Sequence, residues 1–219
     1  MSERSQELLI DRLAADLKPV RRLPSASLMA GFWLAAVVAI ALFLALISDV
    51  GAMLHRLMVV PDMWLAVVGS SLTTILAAVA AFQTSIPGRN PYWGLVPLPA
   101  LAFWIGVSGL GCLRSLVEPD GDAATMRQSM DCLIFILGLS IPLSLLLIVL
   151  LRRTFPLRPN LTAMLGGMAA AAAAATLLNF FHPFDATASD LLVHTIAVGL
   201  VVAGNRLLAK PAYAPRPGR

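Results

Sequence analysis

A chain of 219 residues that is 58% hydrophobic and only 13% charged, with a mean hydropathy of +0.83, is not built to fold in water. Its net charge of +4 and pI near 9.7 would suit a nucleic-acid partner, but the basic residues flank long apolar runs, where membrane orientation accounts for them. Direct nucleic-acid binding is therefore set aside. The first 25 residues hold nine charged side chains and no apolar run of signal-peptide length, so no cleaved leader is expected and the first span itself is expected to direct insertion.

The first element is a tail over residues 1–25. Leu9, Leu13 and Leu17 recur at i, i+4 and i+8 with Ile10 alongside, while Asp11, Arg12 and Asp16 fall elsewhere on the wheel, which predicts an amphipathic helix. Ser5 is placed to cap its start, Glu7 suits its positive end, and Pro19 marks its stop. A helix of this length is marginal alone in water, so the stripe calls for a partner: lipid, the rest of the chain, or another protein. The mixed charge and the lack of aromatic or lysine-rich character argue against a surface-lying membrane anchor. Burying the four aliphatic side chains is worth roughly 6–12 kcal/mol before ordering costs, enough for a regulated protein contact.

Six spans follow, over about 26–48, 63–84, 93–113, 131–151, 161–181 and 188–208, joined by short connections; a tail over 209–219 ends the chain. The fold class expected is an all-α membrane protein with one transmembrane domain over 26–208, since lipid admits only helices or closed barrels and these runs do not alternate. Gly166, Gly167 and the alanines from Ala169 to Ala175 give span five a surface that lets neighbouring backbones approach closely. Pro97 and Pro99 in span three and Pro142 in span four are read as bends. Thirteen of the sixteen Lys and Arg residues fall on the side of the N-terminal tail, and all eight acids beyond the tail fall on the other. The positive-inside rule then puts both termini on the cytoplasmic side of an inner (cytoplasmic) membrane.

Chemistry is sparse. No ionisable residue stands near the middle of a span, and no nucleophile motif, phosphate loop or carboxylate pair is present, so an enzyme is not expected. A small-molecule permease or channel is the alternative, with Ser70, Ser71, Thr73 and Thr74 of span two as its polar candidates, although these can equally bond their own helix or a neighbour. Toward the outer face gather Cys112, Cys132, His55, His182 and His194, whose thiols could pair in an oxidising compartment or whose side chains could hold a regulatory metal, although the spacing matches no metal motif. For Cys132 and Cys112 the plainer reading is a small buried hydrophobe, for His182 a helix cap, and for His194 a satisfied core residue.

A tail running Leu9-Ile-Asp-Arg-Leu-Ala-Ala-Asp-Leu-Lys-Pro-Val-Arg-Arg-Leu23 ahead of six spans resembles the NrsF-type anti-sigma factors, first catalogued as a bacterial domain of unknown function. Cys132-Leu leading into Pro142, Arg152-Arg153 with Pro156-Leu-Arg-Pro159, and Phe181-His-Pro-Phe-Asp185 support the likeness, which covers essentially the whole chain. The resemblance implies that the tail holds an extracytoplasmic-function sigma factor at the membrane until an envelope, metal or oxidative signal releases it. On this reading the sigma-binding residues are Leu9, Ile10, Leu13 and Leu17 with Asp11, Arg12, Arg21 and Arg22 around them. Members of the family are associated with a pair of outward-facing cysteines; Cys132 matches the first, while the region of the second reads Phe181-His182-Pro183. Sensing would then fall to Cys132 with either Cys112 or His182, or to a different signal.

Overall fold

Hydrocarbon offers backbone N–H and C=O groups no partner, so long apolar runs close their hydrogen bonds within a helix. The computed structural model describes residues 3–15, 24–59, 61–117, 126–154, 156–181 and 188–213, and among these no strand occurs. The elements are α1 (Glu3–Ala15), α2 (Ala26–Ile47), α3 (Val50–Val59), α4 (Pro61–Ser85), a short 3-10 helix (Pro91–Leu95), α5 (Leu98–Val117), α6 (Met126–Leu151), α7 (Pro159–Phe181) and α8 (Ala188–Tyr213). Six segments are long and apolar enough to cross a membrane: Ala26–Ile47, Met63–Ser85, Pro91–Leu110, Met130–Leu151, Pro159–Phe180 and Leu192–Ala209. They match the six runs expected from sequence and make this a multi-pass membrane protein.

The small-residue helix lies at the centre. Ala169 to Ala175 are all buried, and α7 packs against α4, α6 and α8. Without a hydrophobic drive between helices in lipid, close backbone approach and interhelical hydrogen bonds must hold them together. Gly167 supplies the first: a Cβ there would stand 3.0 Å from the Val202 Cα and 3.1 Å from the Asn205 Cβ. The polar residues supply the second. Thr176 Oγ1 donates to Ser70 Oγ at 2.9 Å, Thr84 and Thr162 hydroxyls meet at 3.3 Å, and Asn205 Nδ2 donates to Ser144 Oγ at 3.0 Å. Within α4, Thr73 and Thr74 donate back to the carbonyls of Gly69 and Ser70, so the hydroxyls of span two are used for packing.

Four local readings change. Pro97 and Pro99 stand where span three changes from the 3-10 helix to α5 rather than inside one continuous helix: Pro97 lies in the turn before α5 and Pro99 in its first turn, where a missing N–H costs nothing. Only Pro142 sits inside a helix among these three. Ser5 is the third residue of α1, because the helix already begins at Glu3. The connection from Asp49 to Asp62 contains a ten-residue helix, α3, and α8 runs five residues past its expected span into the C-terminal tail.

Candidate functional site

At the N-terminus, the apolar stripe expected of α1 is present and uncovered. Every residue from Arg4 to Ala15 is exposed, with Leu9 at 50%, Ile10 at 62% and Leu13 at 63%. These three share an arc of roughly 100° around the helix, while Asp11 and Arg12 flank it on other faces. Leu8, which the stripe does not include, is 63% exposed on the opposite side. Leu17, Arg21, Arg22 and Pro19 lie outside the described residues.

The root of the tail is built differently. Ser25 caps α2 by accepting from the Leu28 N–H at 3.2 Å, a bond that orients the first turn of the span. Ala26, Met29, Ala30 and Trp33 then bury into a cluster with Phe82, Leu143, Leu147, Leu151, Ala209 and Tyr213. Trp33 is wholly buried and its Nε1–H donates to the Leu143 carbonyl at 3.0 Å, one residue beyond Pro142. These four are the buried residues of α2, so the first span is held most firmly by its first two turns, while Leu34, Val37 and Ile40 further along pack only partly buried against the same cluster. Tyr213, below the span segment of α8, is 8% exposed; burial pushes its phenol up to about 12, and its hydroxyl has no hydrogen-bond partner. Sequence reading missed Trp33 and Tyr213, since nothing local signals a contact across 110 residues or a C-terminal tyrosine folded under the first span.

At the opposite end of the bundle, Cys132 is 1% exposed and packs with Ile136, Ala174, Leu178 and Ala197. Its surroundings are those of a small core hydrophobe. Cys112 lies on α5, but its side chain falls outside the described set, as does His182 entirely. His55 is exposed on α3 and His194 is half-buried on α8. No group of three or more metal-ligating side chains occurs among the described residues. A groove of about 300 Å³ separates α6 from α8, with Ser140, Ser144 and Asn205 in a lining otherwise apolar.

The two ends thus differ in kind: one has an exposed apolar stripe ahead of a firmly seated first span, the other a buried thiol. No curated protein and no solved structure matches the chain. A family model described as negative regulator of sigma F matches residues 13–213, from the last turn of α1 to the last described residue of α8. The chain therefore belongs to the NrsF family, whose description is that of a negative regulator of a sigma factor.

Proposed function

We propose that the protein is an anti-sigma factor of the bacterial inner membrane that holds an extracytoplasmic-function sigma factor on its N-terminal tail and frees it when the envelope meets a metal, oxidant or related stress. The observation that carries this reading is the bare apolar stripe of α1, on a chain of this family: Leu9, Ile10 and Leu13 stand exposed with no cover from the bundle. An unpaired stripe of this size in water wants a protein surface, and Asp11, Arg12, Arg21 and Arg22 would supply polar contacts at its edges. Leu17 would extend it by one more turn.

Both termini are cytoplasmic in this proposal. Its support is that Arg89, Arg152, Arg153, Arg158 and Arg206 sit at the ends of spans on the tail's side of the bundle. Cys132 is the proposed sensing residue, with Cys112 or His182 as its partner in a disulfide or a metal site. Helix α6 supports a link from there to the tail: it carries Cys132 toward one end and the Leu143 carbonyl that receives Trp33 near the other, about 16 Å further along. An event at Cys132 that shifts α6 would alter the seat of α2 and hence the presentation of the tail.

The test is to co-express the full-length protein with a small two-region sigma factor encoded beside it, and to purify from membranes. Recovery of the sigma factor with the wild type, and its loss with a Leu9→Asp, Leu13→Asp double substitution, is the expected result. Equal recovery with both chains would overturn the tail interface, and an unchanged transcriptional output after removal of residues 1–25 would overturn the regulatory role.

A further inference from the structure

Helix α3 is an element that six spans do not require. Two residues, Ser48 and Asp49, join it to α2, and Val60 alone joins it to α4, so links of at most about 11 Å and about 7 Å hold its two ends where two spans leave the membrane. At ten residues it is about 15 Å long, half of what a crossing needs. Its start is built: the Asp49 carboxylate accepts from the Ala52 N–H at 3.0 Å, and the Met53 N–H reaches the Asp49 carbonyl at 3.2 Å.

The side chains divide the helix lengthwise. Met53, Leu57, Val50, Leu54 and Met58 occupy a continuous arc of roughly 140°, while His55, Ala52 and the exposed terminal Val59 project from the other side. One edge of the apolar arc, Met53 and Leu57, is half-buried where α3 leans on α4. The other edge is bare: Leu54 is 48% and Met58 83% exposed. Two residues before α3, at the end of α2, Leu46 is 84% and Ile47 69% exposed on a segment long and apolar enough to cross a membrane. Hydrocarbon covers Leu46 and Ile47, and the short link leaves α3 no other neighbourhood than the boundary of the same leaflet.

We infer that α3 lies in the membrane–water boundary of the leaflet opposite the tail, with Leu54 and Met58 seated among the outer ends of phospholipid acyl chains and His55 turned to water. In the orientation proposed above this is the outer leaflet. Lipid is the occupant because short links tie both ends of α3 to the ends of membrane spans and because His55 gives the helix a polar side chain to present to water, the pattern of an interfacial helix with its apolar face about 5–10 Å into the headgroup region. The consequence concerns α2, whose far half has no buried residue: α3 and the lipid it lies in hold that end of the tail-bearing span.

The experiment places a nitroxide on single cysteines at Leu54→Cys, Met58→Cys, His55→Cys and Ala52→Cys, in the full chain with Cys112→Ser and Cys132→Ser, in vesicles of phosphatidylethanolamine and phosphatidylglycerol. All four positions are exposed, so the label displaces no packed side chain. The expected result is several-fold higher accessibility to oxygen than to a water-soluble nickel chelate at 54 and 58, and the reverse at 55 and 52. Nickel-dominated accessibility at all four positions would overturn the inference. Because serine at buried Cys132 is itself a perturbation, a benzophenone amino acid at 54, 55 or 58 in the otherwise unaltered chain provides a second reading. Lipid labelling from 54 and 58 but not 55 supports the placement; crosslinks from 54 and 58 to protein alone would overturn it.

Discussion

Leu8 and Leu13 make a matched pair for testing the tail. Both are 63% exposed on α1, yet they lie roughly 140° apart around the helix, Leu13 inside the stripe and Leu8 outside it. Fully burying a leucine is worth about 1.5–3 kcal/mol, so the part of Leu13 still open to water has about 1–2 kcal/mol to contribute to a complex. A carboxylate at the same place must also be desolvated without a partner, which adds at least about 1–2 kcal/mol. Leu13→Asp should therefore weaken sigma binding by about 3 kcal/mol, roughly a hundredfold in Kd. Leu8→Asp should stay within a few-fold. Titration of a fluorescent sigma factor onto the protein in nanodiscs measures both, and since every residue from Arg4 to Ala15 is exposed, neither change should alter the helicity or melting of the bundle. Equal losses from the two substitutions would refute the stripe as the interface; so would a Leu13→Asp Kd that matches wild type.

Gly167→Val should destabilise the bundle by about 1–3 kcal/mol, because its Cβ meets the Val202 backbone at 3.0 Å, where no side chain can swing aside; Gly199→Ala, with open space around it, should leave denaturant unfolding within about 0.5 kcal/mol of wild type. Identical unfolding of Gly167→Val and wild type would remove the close approach of α7 and α8. Tyr213 should show a phenolate absorbance step centred near pH 12 that disappears in Tyr213→Phe. Since the folded pKa is raised, the fold favours the protonated phenol: its contribution is intact below pH 10 and is lost between 10 and 12, amounting to about 2–3 kcal/mol. A step near 10 that is present in the intact protein and missing from Tyr213→Phe would contradict the burial. Cys132, at 1% exposure, should resist a water-soluble maleimide in the resting protein, and Cys132→Ser should fold but lose the response to metals and oxidants; rapid labelling at rest, or a normal response from the variant, would set it aside as the sensor.

The spans were legible because their signal is redundant: twenty apolar residues in a row survive any error at the edges, and the run expected over 26–48 appears as Ala26–Ile47 behind a serine cap. The central role of α7 was equally open, since Gly166, Gly167 and seven alanines have only one use in lipid. Elements shorter than a span were harder. Helix α3 has ten residues and carries His55 and Arg56, so it falls below the length at which hydropathy speaks and reads as a loop. Pro97 and Pro99 were misplaced because a proline near a span edge looks the same whether it bends a helix or begins one. The Trp33–Leu143 bond and the burial of Tyr213 depend on tertiary neighbours, which no local window contains. The residues proposed for sensing were legible as residue types only; burial of Cys132 is a property of α6, α7 and α8 together.

That burial bears on how a signal could reach the tail. A tenfold change in sigma affinity needs only about 1.4 kcal/mol of difference between two states of the tail. A hydrogen bond between helices in a membrane is worth about 0.6–2 kcal/mol, so the bond from Trp33 to Leu143 is by itself of the size required. Pro142 stands between that carbonyl and Cys132 and removes one rung of the α6 ladder, which makes the helix easiest to bend between the two sites. On the proposed reading, then, release needs no opening of the bundle. Strain at the buried thiol, absorbed as a bend at Pro142, would cost α2 the Trp33 hydrogen bond to α6 while Ala26, Met29 and Ala30 stay packed, and the tail would change its presentation on a root that remains in place.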